Sequence, residues 1–78
     1  MMYTVWGQTN CAACSAAKDF LTENNEEFTY VELGVHNFDK FLELTNGAKS
    51  VPQIFDSLDG LIGDYKDLVE FYNTTQRT

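Results

Sequence analysis

Apolar and polar positions change period several times along the chain, and each change marks an element. Tyr3 to Trp6 (YTVW) is rich in β-formers and predicts a short buried strand, after which Gly7 to Asn10 is polar and turn-prone. Beyond Cys11 the period lengthens. Ala13, Ala16, Ala17, Phe20 and Leu21 recur at the spacing of one helical face, and the polar Glu23, Asn24 and Asn25 end it. Phe28 to Leu33 (FTYVEL) mixes aromatic and β-branched residues and predicts a second strand, closed by Gly34. Strand, helix and strand make a βαβ unit, whose crossover is long enough to leave the strands parallel and the connection right-handed.

The second half repeats the change of period. Asn37 is positioned to cap a helix in which Phe38, Phe41, Leu42 and Thr45 form a core stripe, and Gly47 is the expected stop. VPQIF, residues 51–55, predicts a third strand with Pro52 at its beginning, because proline cannot donate a ladder hydrogen bond. Asp59-Gly60 is a hairpin signal ahead of Leu61 and Ile62, a short antiparallel partner. Tyr65, Leu68, Val69 and Tyr72 then share a helical face behind Asp64, an N-cap with Asp67 three residues later. A polar tail from Asn73 to Thr78 is expected to fray. The predicted order is βαβ, α, ββα: an α/β fold with a four-stranded mixed sheet and three helices. No repeat or linker divides it, so residues 1–78 are expected to form a single domain.

Composition narrows the function. The chain has 44% hydrophobic residues, enough for a packed interior, and Trp6 and the six phenylalanines are expected in that core, with His36 in an exposed loop. A formal net charge of −7 with unclustered Lys and Arg excludes a phosphate-binding surface for nucleic acid. No apolar run approaches the roughly 20 residues of a membrane span, and the N-terminus lacks the regions of a signal peptide, so the expected location is the cytoplasm. In that reducing compartment two cysteines three residues apart point to catalysis or metal binding before a structural staple.

The stretch TNCAACSAAKDF, residues 9–20, puts Cys11 at the mouth of the first helix. Unsatisfied backbone N–H groups and the positive end of the helix dipole favour an anion there, and a thiolate is that anion. Cys14 stands three and seven residues before Ala17 and Leu21 and therefore leans toward the apolar face. The asymmetry assigns attack to Cys11 and resolution to Cys14, with the sulfurs close enough to close a small disulfide ring. Two other readings stay open. Both cysteines can pack as small hydrophobes, or a cluster of iron and sulfur can be shared between two chains. A zinc site within one chain would need about four ligands, and the only histidine, His36, is remote.

CAAC after a first strand, VPQIF and IGDYKDL together resemble the glutaredoxins of the thioredoxin-like superfamily, in particular the small bacterial and bacteriophage ones, and the similarity covers nearly the whole chain. The resemblance implies a thioredoxin-like fold and a thiol–disulfide oxidoreductase with no bound cofactor, using glutathione as co-substrate. Its partners would be disulfide-bearing proteins such as ribonucleotide reductase, and the chain would be a monomer. By position, Cys11 and Cys14 match the redox pair and Pro52 matches the family's cis-proline, while Val51 would pair its backbone with the glutathione peptide. Asp64, Tyr65, Lys66 and Asp67 match the segment that receives the γ-glutamyl end at a helix start, where backbone N–H groups hold a carboxylate. Three departures stand out. Ala12 and Ala13 replace the common Pro and Tyr, Asp64 replaces a glycine and adds charge where a carboxylate docks, and Lys49 substitutes for a lysine missing before Cys11. The implied alternatives are an iron–sulfur carrier formed by two chains through Cys11, and a donor recycled by thioredoxin reductase without glutathione.

Overall fold

The computed structural model describes residues 2–75. In chain order it contains β1 (Met2–Gly7), α1 (Ala12–Glu23), β2 (Glu27–Glu32), a 3-10 turn (Val35–Asn37), α2 (Phe38–Thr45), β3 (Gln53–Phe55), β4 (Leu61–Gly63) and α3 (Tyr65–Thr75). The strands lie in the order β2-β1-β3-β4. β1 pairs in parallel with β2, Tyr3 opposite Phe28 and Gly7 opposite Glu32. It pairs antiparallel with β3, Trp6 opposite Gln53, and β3 in turn pairs antiparallel with β4. The expected mixed four-stranded sheet with three helices is the observed one.

The period of two along β1 sends its side chains to opposite faces, and each face builds its own core. Tyr3 and Val5 pack with Ala17 and Leu21 of α1, Ile54 of β3 and Leu68 of α3, and Phe20, Phe28, Tyr30, Tyr65 and Phe71 close around them. On the other face Trp6 packs with Phe41 of α2 and Phe55, joined by Val31, Leu33, Leu42, Ala48 and Val51. The molecule is thus a sheet with α1 and α3 on one side and α2 on the other. Aromatic geometry fills the remaining contacts: Phe20 meets Tyr65 and Tyr72 edge-on at 6.4 and 5.5 Å, and Trp6 lies 5.7 Å from Phe41. Thr45, buried in α2, donates its hydroxyl to the Phe41 carbonyl and accepts the Ala48 amide, so the helix exit is tied internally.

Several local expectations are corrected. Asn37 stands before α2 but makes no side-chain cap to it. Its amide side chain instead accepts from the Gly34 N–H and donates to the Glu32 carbonyl, bracing the preceding turn. Phe38 is 47% exposed, its ring stacked 6.5 Å from that of Phe41, while Phe41 and Leu42 pack into the cluster against the sheet. Ala13 likewise faces solvent, and the buried stripe of α1 is Cys14, Ala17 and Leu21. α2 ends at Asn46 in the left-handed region, with φ 58°, one residue before the predicted Gly47. The hairpin loop is organised by Asp56, whose carboxylate accepts the amides of Leu58 and Gly60, with Asp59 left-handed at φ 62°. α3 runs on through Thr75, so Asn73 to Thr75 are helical; residues 76–78 of the predicted fraying tail lie outside the described residues.

Leu21 is fully buried between the sheet and α3, where a cavity cannot collapse freely. Leu21→Ala is expected to lower stability by about 2–5 kcal/mol in urea unfolding followed by circular dichroism. A loss below roughly 1 kcal/mol would mean that this face is loosely packed.

Candidate active site

The topology carries the chemically suggestive segments to one end of the sheet. β1 and β2 run parallel and β3 runs against them, so the start of β3 meets the ends of β1 and β2. β4 runs against β3 and ends at Gly63, opposite Ile54, on the same side. Gly7 to Cys11, Glu32 and Leu33, Val51 and Pro52, and Gly63 to Asp67 therefore surround one edge, outside the carboxyl ends of three strands, where α/β sheets place their ligands.

Asn10, left-handed at φ 61°, turns the chain into α1. Cys11 is the N-cap in extended conformation: its carbonyl takes the first helical bond from the Ser15 amide at 3.1 Å, and its Sγ accepts the Cys14 amide at 3.2 Å. The first turn holds no acidic residue to oppose a negative sulfur. An ionised Cys11 would thus face a donated N–H and the helix dipole together. Cys11 and Cys14 are disulfide-bonded, with Cα atoms 5.2 Å apart. Cys11 is partly exposed and Cys14 is 1% exposed, so an incoming group meets Cys11 first.

The Val51–Pro52 bond is cis, as the resemblance implies, and Pro52 is buried. The Val51 carbonyl lies 3.9 Å from the Cys11 sulfur. Lys49 is exposed and shares with Gln8, Leu33, Phe38 and Val51 the wall of a groove of about 460 Å³. At the mouth of α3, Asp64 and Asp67 cap each other: the Asp67 amide donates to the Asp64 carboxylate at 3.0 Å, and the Asp64 amide donates to the Asp67 carboxylate at 3.2 Å. Gly63, at φ 125°, permits this closure, since a Cβ there would fall on the Asp67 carboxylate. Lys66 is exposed, whereas the Tyr65 ring packs edge-on against Phe20 and leaves mainly its backbone to the site.

One cluster beside the cysteines is absent from the sequence reading. Gly7 is the last residue of β1 and not a turn: a Cβ there would stand 2.9 Å from both the Cys14 sulfur and the Tyr30 hydroxyl. A larger residue at this position would press on the sulfur and the phenol together. The Tyr30 hydroxyl donates to Glu32 at 3.2 Å, and the other Glu32 oxygen accepts both the amide and the hydroxyl of Thr9 at 2.9 Å each. Lys18 from α1 lies 4.1 Å above the centre of the Tyr30 ring. These bonds, those of Thr9 foremost, hold the Glu32 carboxyl below the usual carboxylate range. Burial and the bond to Glu32 raise the Tyr30 phenol. The available signal was the alternation of FTYVEL, which sets Tyr30 and Glu32 on one face of β2.

The glutaredoxin family model matches residues 1–60. Among solved structures the chain is similar to glutaredoxin 1 of Francisella tularensis complexed with cacodylate, with a TM-score of 0.80 and 24% identity over 95% of this chain and 94% of that one. It is similar to the buckwheat glutaredoxin–glutathione complex at a TM-score of 0.79 and 19% identity, over 95% of this chain and 70% of that one. It is also similar to NrdH-redoxin of Escherichia coli, a glutaredoxin-like protein with a thioredoxin-like activity profile, at 0.75 and 16%, over 100% and 99%. At these identities the structural likeness is one of fold. No curated protein matches the sequence.

Because the Glu32 carboxyl is depressed in the folded state, its contribution to stability is present above the ordinary carboxylate range and lost as pH falls through the folded value. Thr9→Ala removes the hydroxyl donor. The variant is expected to be less stable than the parent at pH 7, with a deficit that shrinks as the pH falls and Glu32 is protonated, in paired urea titrations. A deficit that does not change with pH would mean that Thr9 acts by packing alone.

Proposed function

The chain belongs to the glutaredoxin family, and from that footing we propose that it is a dithiol glutaredoxin, reducing protein disulfides and glutathione mixed disulfides and recycled by glutathione. One observation carries the reading: the two bonded sulfurs differ in exposure, Cys11 open at the helix mouth and Cys14 buried behind it. In the reduced protein the Cys11 thiolate attacks a substrate disulfide, forms a mixed disulfide and releases one substrate thiol. Cys14 then attacks the Cys11 sulfur, the second substrate thiol leaves, and the Cys11–Cys14 disulfide remains. Two glutathione molecules reverse this, the first joining Cys11 and the second leaving with it as glutathione disulfide.

Glutathione would lie across the sheet end, its peptide along the Val51 backbone beside Pro52 and its glycyl carboxylate near Lys49. Its γ-glutamyl carboxylate would take the first-turn amides of Tyr65 and Lys66, with Asp67 reaching the α-ammonium. Asp64 sets a negative charge at that mouth and its amide is already taken by Asp67, so binding weaker than the family norm is expected. The same feature favours a second reading, a donor recycled by a thioredoxin reductase, which the fold likeness to NrdH-redoxin supports. Disulfide-bearing proteins such as ribonucleotide reductase are the proposed substrates, with Cys11 the contacting atom, and the cytoplasm the proposed location. The described residues include no helix long and apolar enough to cross a membrane.

Cys14→Ser separates the steps. With glutathione and its reductase as the supply of electrons, the variant is expected to keep reduction of a glutathione mixed disulfide within about threefold of the parent and to lose dithiol reduction of a protein disulfide by about a hundredfold. Equal loss in both assays would overturn the division of roles. A parent active only with thioredoxin reductase would favour the second reading.

A further inference from the structure

Between the end of β1 and the first residue of α1 the chain crosses residues 8–11, of which Gln8, Thr9 and Asn10 are exposed. With so little burial, such a loop is held by its bonds to neighbouring elements. At its start the Leu33 amide donates to the Gly7 carbonyl at 2.8 Å, and at its end Cys11 joins the helix. Between these points Asn10 sits left-handed at φ 61°, a conformation that its surroundings have to hold. The holding contact falls one residue earlier. There the amide and the hydroxyl of Thr9 both donate to the same oxygen of Glu32, at 2.9 Å each.

We infer that Glu32 is a positioning residue for Cys11: by bonding Thr9 it fixes the loop so that Cys11 enters α1 as the N-cap, with its sulfur set against the Cys14 amide. This deepens the dithiol reading and rests on its assignment of Cys11 as the attacking thiol. The carboxylate is oriented from its own strand, because the Tyr30 hydroxyl donates to its other oxygen at 3.2 Å. Lys18 of α1 adds an opposite charge, and together with the bonds from Thr9 it holds the group below the usual carboxylate range. Glu32 therefore stays ionised, and able to accept both bonds, at neutral pH.

Reduction is what makes the clamp matter. In the oxidised protein the Cys11–Cys14 bond itself ties the cap residue to the first turn. Once that bond is reduced the tie is lost, in the state in which Cys11 must attack. The sulfur is then left with the Cys14 N–H, 3.2 Å away in the oxidised form, and the strength of that bond depends on where the chain sets Cys11. The bonds between Thr9 and Glu32 involve neither sulfur and so persist through the cycle. Any field of the carboxylate works in the opposite sense, since negative charge favours S–H over S⁻. Loss of the clamp thus raises the Cys11 titration midpoint, whereas loss of the charge alone lowers it.

The test reads Cys11 as the only thiol, in a Cys14→Ser background, by ultraviolet thiolate absorbance against pH. Glu32→Ala removes clamp and charge together and is expected to raise the Cys11 midpoint by about half a pH unit, about a threefold loss of thiolate below the midpoint. Glu32→Gln keeps an acceptor oxygen for Thr9 and discards the charge, so its midpoint is expected at or below that of the background. Thr9→Val, which leaves the charge and removes the hydroxyl bond, is expected to raise the midpoint by less than Glu32→Ala, and Thr9→Ser to leave it unchanged. The Thr9 pair repeats the comparison on an exposed residue, so the inference is decided even where a change in β2 disturbs the sheet. No rise in Glu32→Ala, an equal rise in Glu32→Gln, or equal midpoints in Thr9→Val and Thr9→Ser would overturn it. None of these comparisons bears on whether the parent performs dithiol reduction, which the Cys14→Ser activity assays decide.

Discussion

The amides that open α1 have no carbonyls of their own helix to bond, and the sulfur of Cys11 takes one of them, that of Cys14. From this one arrangement the chemistry follows. A sulfur that accepts an N–H and sits at the positive end of a helix dipole is stabilised as a thiolate, the form in which it is a nucleophile. One turn further along, Cys14 rides the apolar stripe with Ala17 and Leu21 and is enclosed by the sheet. The three-residue spacing thus converts a difference in position along a helix into a difference in exposure between two otherwise identical groups.

The rest of the fold holds that helix mouth in place and brings the backbone of two further segments to it. Tyr3 and Val5 fasten α1 and α3 to one face of the sheet while Trp6 fastens α2 to the other. The reversal of direction between β1 and β3 returns Val51 and Pro52 to the cysteines, and β4 delivers Gly63 and the start of α3 to the same end. Gly7 matters at this junction because a single Cβ would collide with both the Cys14 sulfur and the Tyr30 hydroxyl. The acidic pair Asp64 and Asp67 closes α3 with its own carboxylates. A self-capped helix is a stable start, and this one carries two carboxylates at its positive end.

The strands and helices were legible from period alone, since each is amphipathic at its own spacing and the changes fall at glycine, asparagine or proline. The Cys11–Cys14 asymmetry was equally legible, because it depends only on helical geometry. The start of α2 was not. Asn37 has the identity of a cap, yet its side chain bonds the Gly34 amide and the Glu32 carbonyl instead, and Phe38 beside it stays half exposed. Asp56 as the organiser of the hairpin loop and Gly7 as a contact residue also escaped, each depending on what the folded chain places beside it. The Tyr30–Glu32–Thr9 cluster joins the loop before α1 to the edge strand β2 across 23 residues of sequence, a relation that no local pattern encodes.

The central claim is that position on α1 makes Cys11 the acidic, accessible thiol and Cys14 the shielded one. The most direct measurement is pulsed alkylation of the reduced protein across a pH series, with each cysteine quantified by peptide mass spectrometry. The account predicts that Cys11 is modified first, with a midpoint at least about one unit below the ordinary thiol value near 8.5, and that Cys14 stays protected in the folded protein. Modification of both cysteines at similar rates, with an ordinary midpoint at Cys11, would contradict it.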